Sequence, residues 1–196
     1  MPRLITAAGQ RWMPWRNGHG ATREVVAWPL GATLDTFAWR VSVATIARSG
    51  PFSRFPGVMR TLVLLSGAGV RLTTANGSID LRRCHATAIL PGDEETACEL
   101  TGSVVEMFNV MVRGVTAARV AVSEGVTSAV PAAPFRVCYA AQGALACEVG
   151  TARFELGAAD ALVLAGDDDA AAELRIVPRA ANAIALTTLI DAASAP

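Results

Sequence analysis

Short apolar runs broken by Gly, Pro, Asn and Asp recur every eight to twelve residues along this chain, and helical periodicity is scarce. That rhythm predicts an all-β sandwich or barrel built from short antiparallel strands. From Ala38 to Ala47 the alternation puts Trp39, Val41 and Val43 on one face and Arg40, Ser42 and Ala44 on the other. Val104 to Arg113 behaves likewise, opposing Phe108, Val110 and Val112 to Met107, Asn109, Met111 and Arg113. Further strands are predicted over 61–66 and 70–74 around Gly67 and Gly69, over 79–82 after the Asn76-Gly77 hairpin signal, and over 86–90 and 96–100. The second half repeats the rhythm over 135–140, 144–149, 153–156, 161–165, 172–177 and 183–190.

The repetition extends to residues. Ala86 to Leu100 and Asp160 to Leu174 align without a gap at an offset of 74, matching Gly92 with Gly166, Asp93 with Asp167, Glu99 with Glu173 and Leu100 with Leu174. The same offset carries Gly69 onto Gly143. Two copies of a six-to-eight-strand antiparallel unit, a double barrel, are the expected architecture. The first copy is assigned to residues 1–119 and the second, degenerate copy to 120–196, with Val130 to Pro134 (VPAAP) read as a linker.

With 196 residues, 52% of them hydrophobic, the chain can bury a substantial core. Seventeen basic residues balance 17 acidic ones, so no global field holds a nucleic acid or an anionic membrane surface. No signal-peptide core or membrane-length apolar run is present, and a cytoplasmic protein is expected. Cys84, Cys98, Cys138 and Cys147 form no Cys-x-x-Cys pair and read as reduced thiols.

The chemistry concentrates in the first half, which holds all four tryptophans, both histidines and most arginines. His19 and His85 sit in different segments, so a transition-metal site of three imidazoles and a carboxylate cannot be assembled, and no cofactor is expected. Asn17-Gly18-His19-Gly20 is either a backbone nest for an anion or a tight loop feeding the next strand, where Thr22 and Glu24 share a face. Gly50 to Gly57 (GPFSRFPG) is stiffened by two prolines, with Phe52 and Phe55 as anchors and Ser53 between them. Arg60 opens the following strand and pairs either with a ligand carboxylate or with Glu24 or Glu106. Asn109, between two methionines, is either a satisfied structural amide or a group that orients a ligand in an apolar pocket. No Ser-His-Asp, Cys-His or phosphate-loop arrangement appears.

Taken in order, Asn17 to Glu24 (NGHGATRE), Trp39-Arg40-Val41-Ser42, Gly50 to Gly57 and Phe108-Asn109-Val110-Met111 resemble the HutD/Ves family. The resemblance implies a bicupin fold, two RmlC-like double-stranded β-helix barrels in one chain, without the usual metal site. It also implies an association with histidine utilisation as a regulatory binder of urocanate or formylglutamate rather than a pathway enzyme. Four positions depart from the family pattern: His19 replaces a Gly, Met59 an Asp, Met107 an acid before Phe-Asn, and Gly114 the second of two arginines.

The expectation is therefore a non-catalytic binder of a small carboxylate or imidazole metabolite. Arg60 would pair with the carboxylate, Asn109 and Thr22 would orient its polar end, and Trp39 and Met111 would wall it. Arg40 joins if its face turns inward, and Asn17, Glu24, Ser42 and Ser53 complete the candidate set. A metal-independent epimerase or lyase using Glu24 with a histidine is the alternative. A homodimer is left open.

Overall fold

In the computed structural model, which describes residues 1–15, 17–114 and 116–191 (for Asp167 and Asp168 the backbone alone), the predicted alternation becomes an almost entirely β protein. Among the described residues there are nineteen strands: β1 Arg3–Ile5, β2 Arg11–Pro14, β3 Gly20–Trp28, β4 Trp39–Ile46, β5 Gly50–Pro51, β6 Val58–Ser66, β7 Val70–Thr74, β8 Gly77–Leu81, β9 Thr87–Pro91, β10 Ala97–Leu100 and β11 Val105–Arg113, then β12 Ala118–Glu124, β13 Ser128–Val130, β14 Phe135–Gln142, β15 Leu145–Val149, β16 Ala152–Leu156, β17 Ala161–Ala165, β18 Leu174–Pro178 and β19 Ile184–Ile190. A single turn of helix, α1 Asp167–Ala171, precedes β18.

The chain divides into two units. One is Arg11–Gly114 and the other joins Met1–Gln10 to Val115–Pro196. The first unit has a six-stranded sheet in the order β2-β3-β4-β11-β6-β9 and a four-stranded sheet in the order β5-β10-β7-β8. Alternate residues of both sheets, among them Leu62, Leu64, Leu72, Leu81, Cys98 and Met107, share one apolar core. Such packing of two inner faces is what half-apolar alternation produces.

The second unit has the five-stranded order β1-β17-β14-β19-β12 and the four-stranded order β13-β18-β15-β16. Its core draws Cys138, Cys147, Leu162, Leu164, Leu174 and Ile176 from both sheets. The strand orders correspond: β4-β11-β6-β9 matches β12-β19-β14-β17, and β5-β10-β7-β8 matches β13-β18-β15-β16. β9 and β17 lie at the 74-residue offset. Beyond them α1 occupies positions where the first unit has a turn, so β18 starts at Leu174 rather than at Ala172 as expected. Val130 to Pro134 connects β13 to β14 inside the second unit. Among the described residues no helix is long and apolar enough to cross a membrane.

Candidate functional site

Strand register turns the alternation of three strands into rows. Arg40 on β4, Met111 on β11 and Arg60 on β6 stand side by side, and Ser42, Asn109 and Leu62 form the next row. On β3, Glu24 lies opposite Ser42 and Thr22 opposite Ala44, with a bulge following Glu24. These side chains share the inner face of the six-stranded sheet. Of these, Thr22, Arg40, Ala44, Arg60, Leu62, Asn109 and Met111 line a cavity of about 670 Å³ within the first unit, completed by Arg11, Met13, Trp15, Phe52, Ser53 and Phe55 among others. That volume suits a metabolite-sized ligand.

The two arginines are treated differently. Arg40 is buried and donates through Nε to Glu24 Oε2 at 2.6 Å and through Nη1 to Ser42 Oγ at 3.2 Å. Arg60 is 7% exposed, yet among the described residues its Nη2 reaches only a backbone oxygen, that of Ser53 at 2.8 Å, and its buried Nε has no hydrogen-bond partner. Its guanidinium lies 4.8 Å from the Phe55 ring centroid and 5.6 Å from that of Phe52, so these rings flank a cation as well as anchoring the loop. Neither acid considered for it is engaged with it: Glu24 holds Arg40, and Glu106 stands 3.7 Å from Arg23. Burial, and then the neighbouring charge of Arg40, lower the Arg60 pKa to about 10. Asn109 Oδ1 is likewise buried without a partner. Two buried guanidiniums thus line the cavity, and Glu24 pairs with one of them, Arg40.

Seven expected site residues line this cavity: Asn17, Thr22, Arg40, Ser53, Arg60, Asn109 and Met111. Glu24 and Ser42 hold Arg40 in place. Trp39 does neither. It follows from the alternation that it points away from its neighbour Arg40, and it is fully buried, stacked on Trp28 with centroids 6.1 Å apart and planes 8° from parallel. Thr22 acts as an acceptor for the Trp15 indole N–H at 2.8 Å, which fixes a cavity wall.

Asn17 to Gly20 forms the tight β2–β3 hairpin turn: Gly18 has φ +67° and the His19 N–H is taken by Asn17 Oδ1 at 3.0 Å. Arg11, Met13, Trp15, Phe52, Phe55 and Met107 were not anticipated as cavity residues. Met107 follows from the period of two that placed Asn109 inward, whereas nothing in the sequence orients Trp15.

Neither His19 nor His85 lines the cavity. Among the described residues no group of three or more His, Cys, Asp or Glu could hold a metal, so these residues do not fit the metal centre common in cupins. Of the four departures from the family pattern, Met107 lies on the cavity, while His19, Met59 and Gly114 do not line it.

A HutD family model matches residues 7–184. An uncharacterised 21.2 kDa protein in the hutC 3′ region of Pseudomonas putida is 38% identical over 109 residues, 55% of this chain and 56% of that protein. Protein Ves of Citrobacter koseri is 41% identical over 100 residues, 50% of this chain and 51% of its own. The chain spans about half the length of these curated relatives. A conserved protein of unknown function from Pseudomonas aeruginosa PAO1 superposes with TM-score 0.87 and 28% identity over 98% of this chain and all of that one. HutD from Pseudomonas fluorescens SBW25 superposes with TM-score 0.77 and 23% identity over 98% of this chain and 100% of its own. A cupin 2 conserved barrel domain protein from Leptotrichia buccalis, 10% identical over 86% of this chain and 88% of that one, superposes with TM-score 0.55, so the fold is cupin-like. The chain belongs to the HutD family.

Proposed function

We propose that this protein is a cytosolic receptor for a small carboxylate, acting as a regulator in histidine utilisation rather than as an enzyme. The observation that carries the reading is Arg60: a buried cation on the cavity, clasped by two aromatic rings, with a buried N–H that nothing among the described residues satisfies. An ionised group is seldom left buried without a counter-charge, and a ligand carboxylate supplies one with matching geometry. The Asn109 amide, one row away on the next strand, offers a second polar contact, and Met107, Met111 and Trp15 give apolar walls. The names of the hutC-region relative and of HutD support the pathway, and formylglutamate and urocanate are the ligands to try first. Corresponding strand orders and the 74-residue offset favour two copies of one cupin barrel, a bicupin.

Titration calorimetry of the full chain with formylglutamate and urocanate tests the reading. One buried charge-assisted pair contributes about 1.5–3 kcal/mol, so Arg60→Ala should weaken binding roughly 10- to 150-fold. Equal affinity in wild type and variant removes Arg60 from the role, and no heat with any small carboxylate removes the function.

A further inference from the structure

The cavity of the first unit is lined by a third guanidinium, and nothing in the fold occupies it. Arg11 and Met13 on β2 both line the cavity, since a period of two turns them inward together, while Trp12 between them is 55% exposed. Arg11 lies opposite Glu24 in register, yet that carboxylate is held by Arg40. Among the described residues Arg11 makes no ion pair and no side-chain hydrogen bond. Unlike Arg40 and Arg60 it is exposed, so it belongs to the mouth of the cavity rather than to its depth.

The charges on this cavity do not balance. Arg11, Arg40 and Arg60 line it, and among the described residues no Asp, Glu or His does. Glu24 cancels Arg40. Two guanidiniums remain, a buried one at Arg60 and a solvated one at Arg11. Three strands stand between theirs in the sheet, β3, β4 and β11, which puts their backbones no more than roughly 19 Å apart. A single compact anion such as phosphate is too small to meet both. Two long side chains reaching into one cavity narrow that gap to the span of a short chain with an acid at each end. Met13, Leu62, Met107 and Met111 line the same cavity and suit the methylenes of such a chain.

We propose, on the reading of Arg60 as the anchor of one carboxylate, that the ligand is a short dicarboxylic acid whose second carboxylate is recognised by Arg11 at the mouth. Arg11 is then the residue that separates dicarboxylates from monocarboxylates. Water around it limits the effect to that of a partly exposed pair, roughly three- to tenfold in affinity.

Glutarate and its monoamide differ in one charge and little else, and serve as the probes. In titration calorimetry of the full chain, glutarate should bind about three- to tenfold more tightly than the monoamide, and the preference should shrink as salt is added. Arg11→Gln should abolish the preference through loss of glutarate affinity, whereas Arg11→Lys, which keeps the charge, should retain part of it. Equal affinities in the wild type, or a preference that survives in Arg11→Gln, overturn the proposal. In either case, monoamide binding that is weakened by Arg60→Ala would leave the carboxylate-receptor reading standing. Binding of neither compound overturns both.

Discussion

Replacing Glu24 by Gln keeps the volume of the side chain and removes the carboxylate that holds buried Arg40. In the wild type its Oε2 sits 2.6 Å from Arg40 Nε, with the two side chains 17% and 5% exposed. Removing one partner of a fully buried pair costs about 3–5 kcal/mol, whereas an exposed pair is worth about 0–1. Partial access of water to Glu24 places this pair between those limits, so a loss of about 2–3 kcal/mol is expected. For a chain of this length that corresponds to a fall in Tm of about 4–12 °C.

Scanning calorimetry of Glu24→Gln, Arg40→Met and the double variant measures it. The double variant should be less destabilised than the sum of the singles, because without Arg40 the carboxylate has no charge to balance. Formate should also stabilise Glu24→Gln more than wild type, since the variant cavity holds two uncompensated cations. Additive losses, or a Tm within a degree of wild type, would refute the charge accounting on which the cavity's preference for anions rests.

Two further outcomes follow from the same geometry. With a pKa of about 10, Arg60 is charged below that value and neutral above it. Carboxylate affinity, read by calorimetry, should therefore be flat from about pH 7 to 9 and fall by about tenfold per unit above the pKa; a decline beginning near pH 7 contradicts the assignment. At Gly50 an added Cβ would lie 2.8 Å from His19 Nδ1. Gly50→Ala should cost about 1–3 kcal/mol by overpacking and shift the loop that carries Phe52 and Phe55, seen as a lower urea midpoint and weaker ligand binding.

What the sequence disclosed, and what it hid, can be read from single residues. Alternation in β4 and β11 placed Arg40, Asn109 and Met111 on faces that turn inward, because period two is fixed by strand geometry whatever the partner. The same alternation puts Trp39 on the face opposite Arg40, but which of the two faces meets the cavity is fixed by the pairing of Arg40 with Met111, and register is a tertiary property. β12 and β13 escaped notice because Ala118–Glu124 and Ser128–Val130 offer little contrast between small apolar and polar residues. Phe52 and Phe55 were legible as anchors, while the cation between them depended on where a separate strand delivered Arg60.

β1 bears on how the polypeptide is assembled during synthesis. Residues Arg11–Gly114 are contiguous and can close once they have left the ribosome. Arg3, made before them, lies opposite Val163, so the leading segment stays unpaired until β17 has been translated. Until it docks, the rim of β17 lacks its neighbour and is open to pairing with another nascent chain.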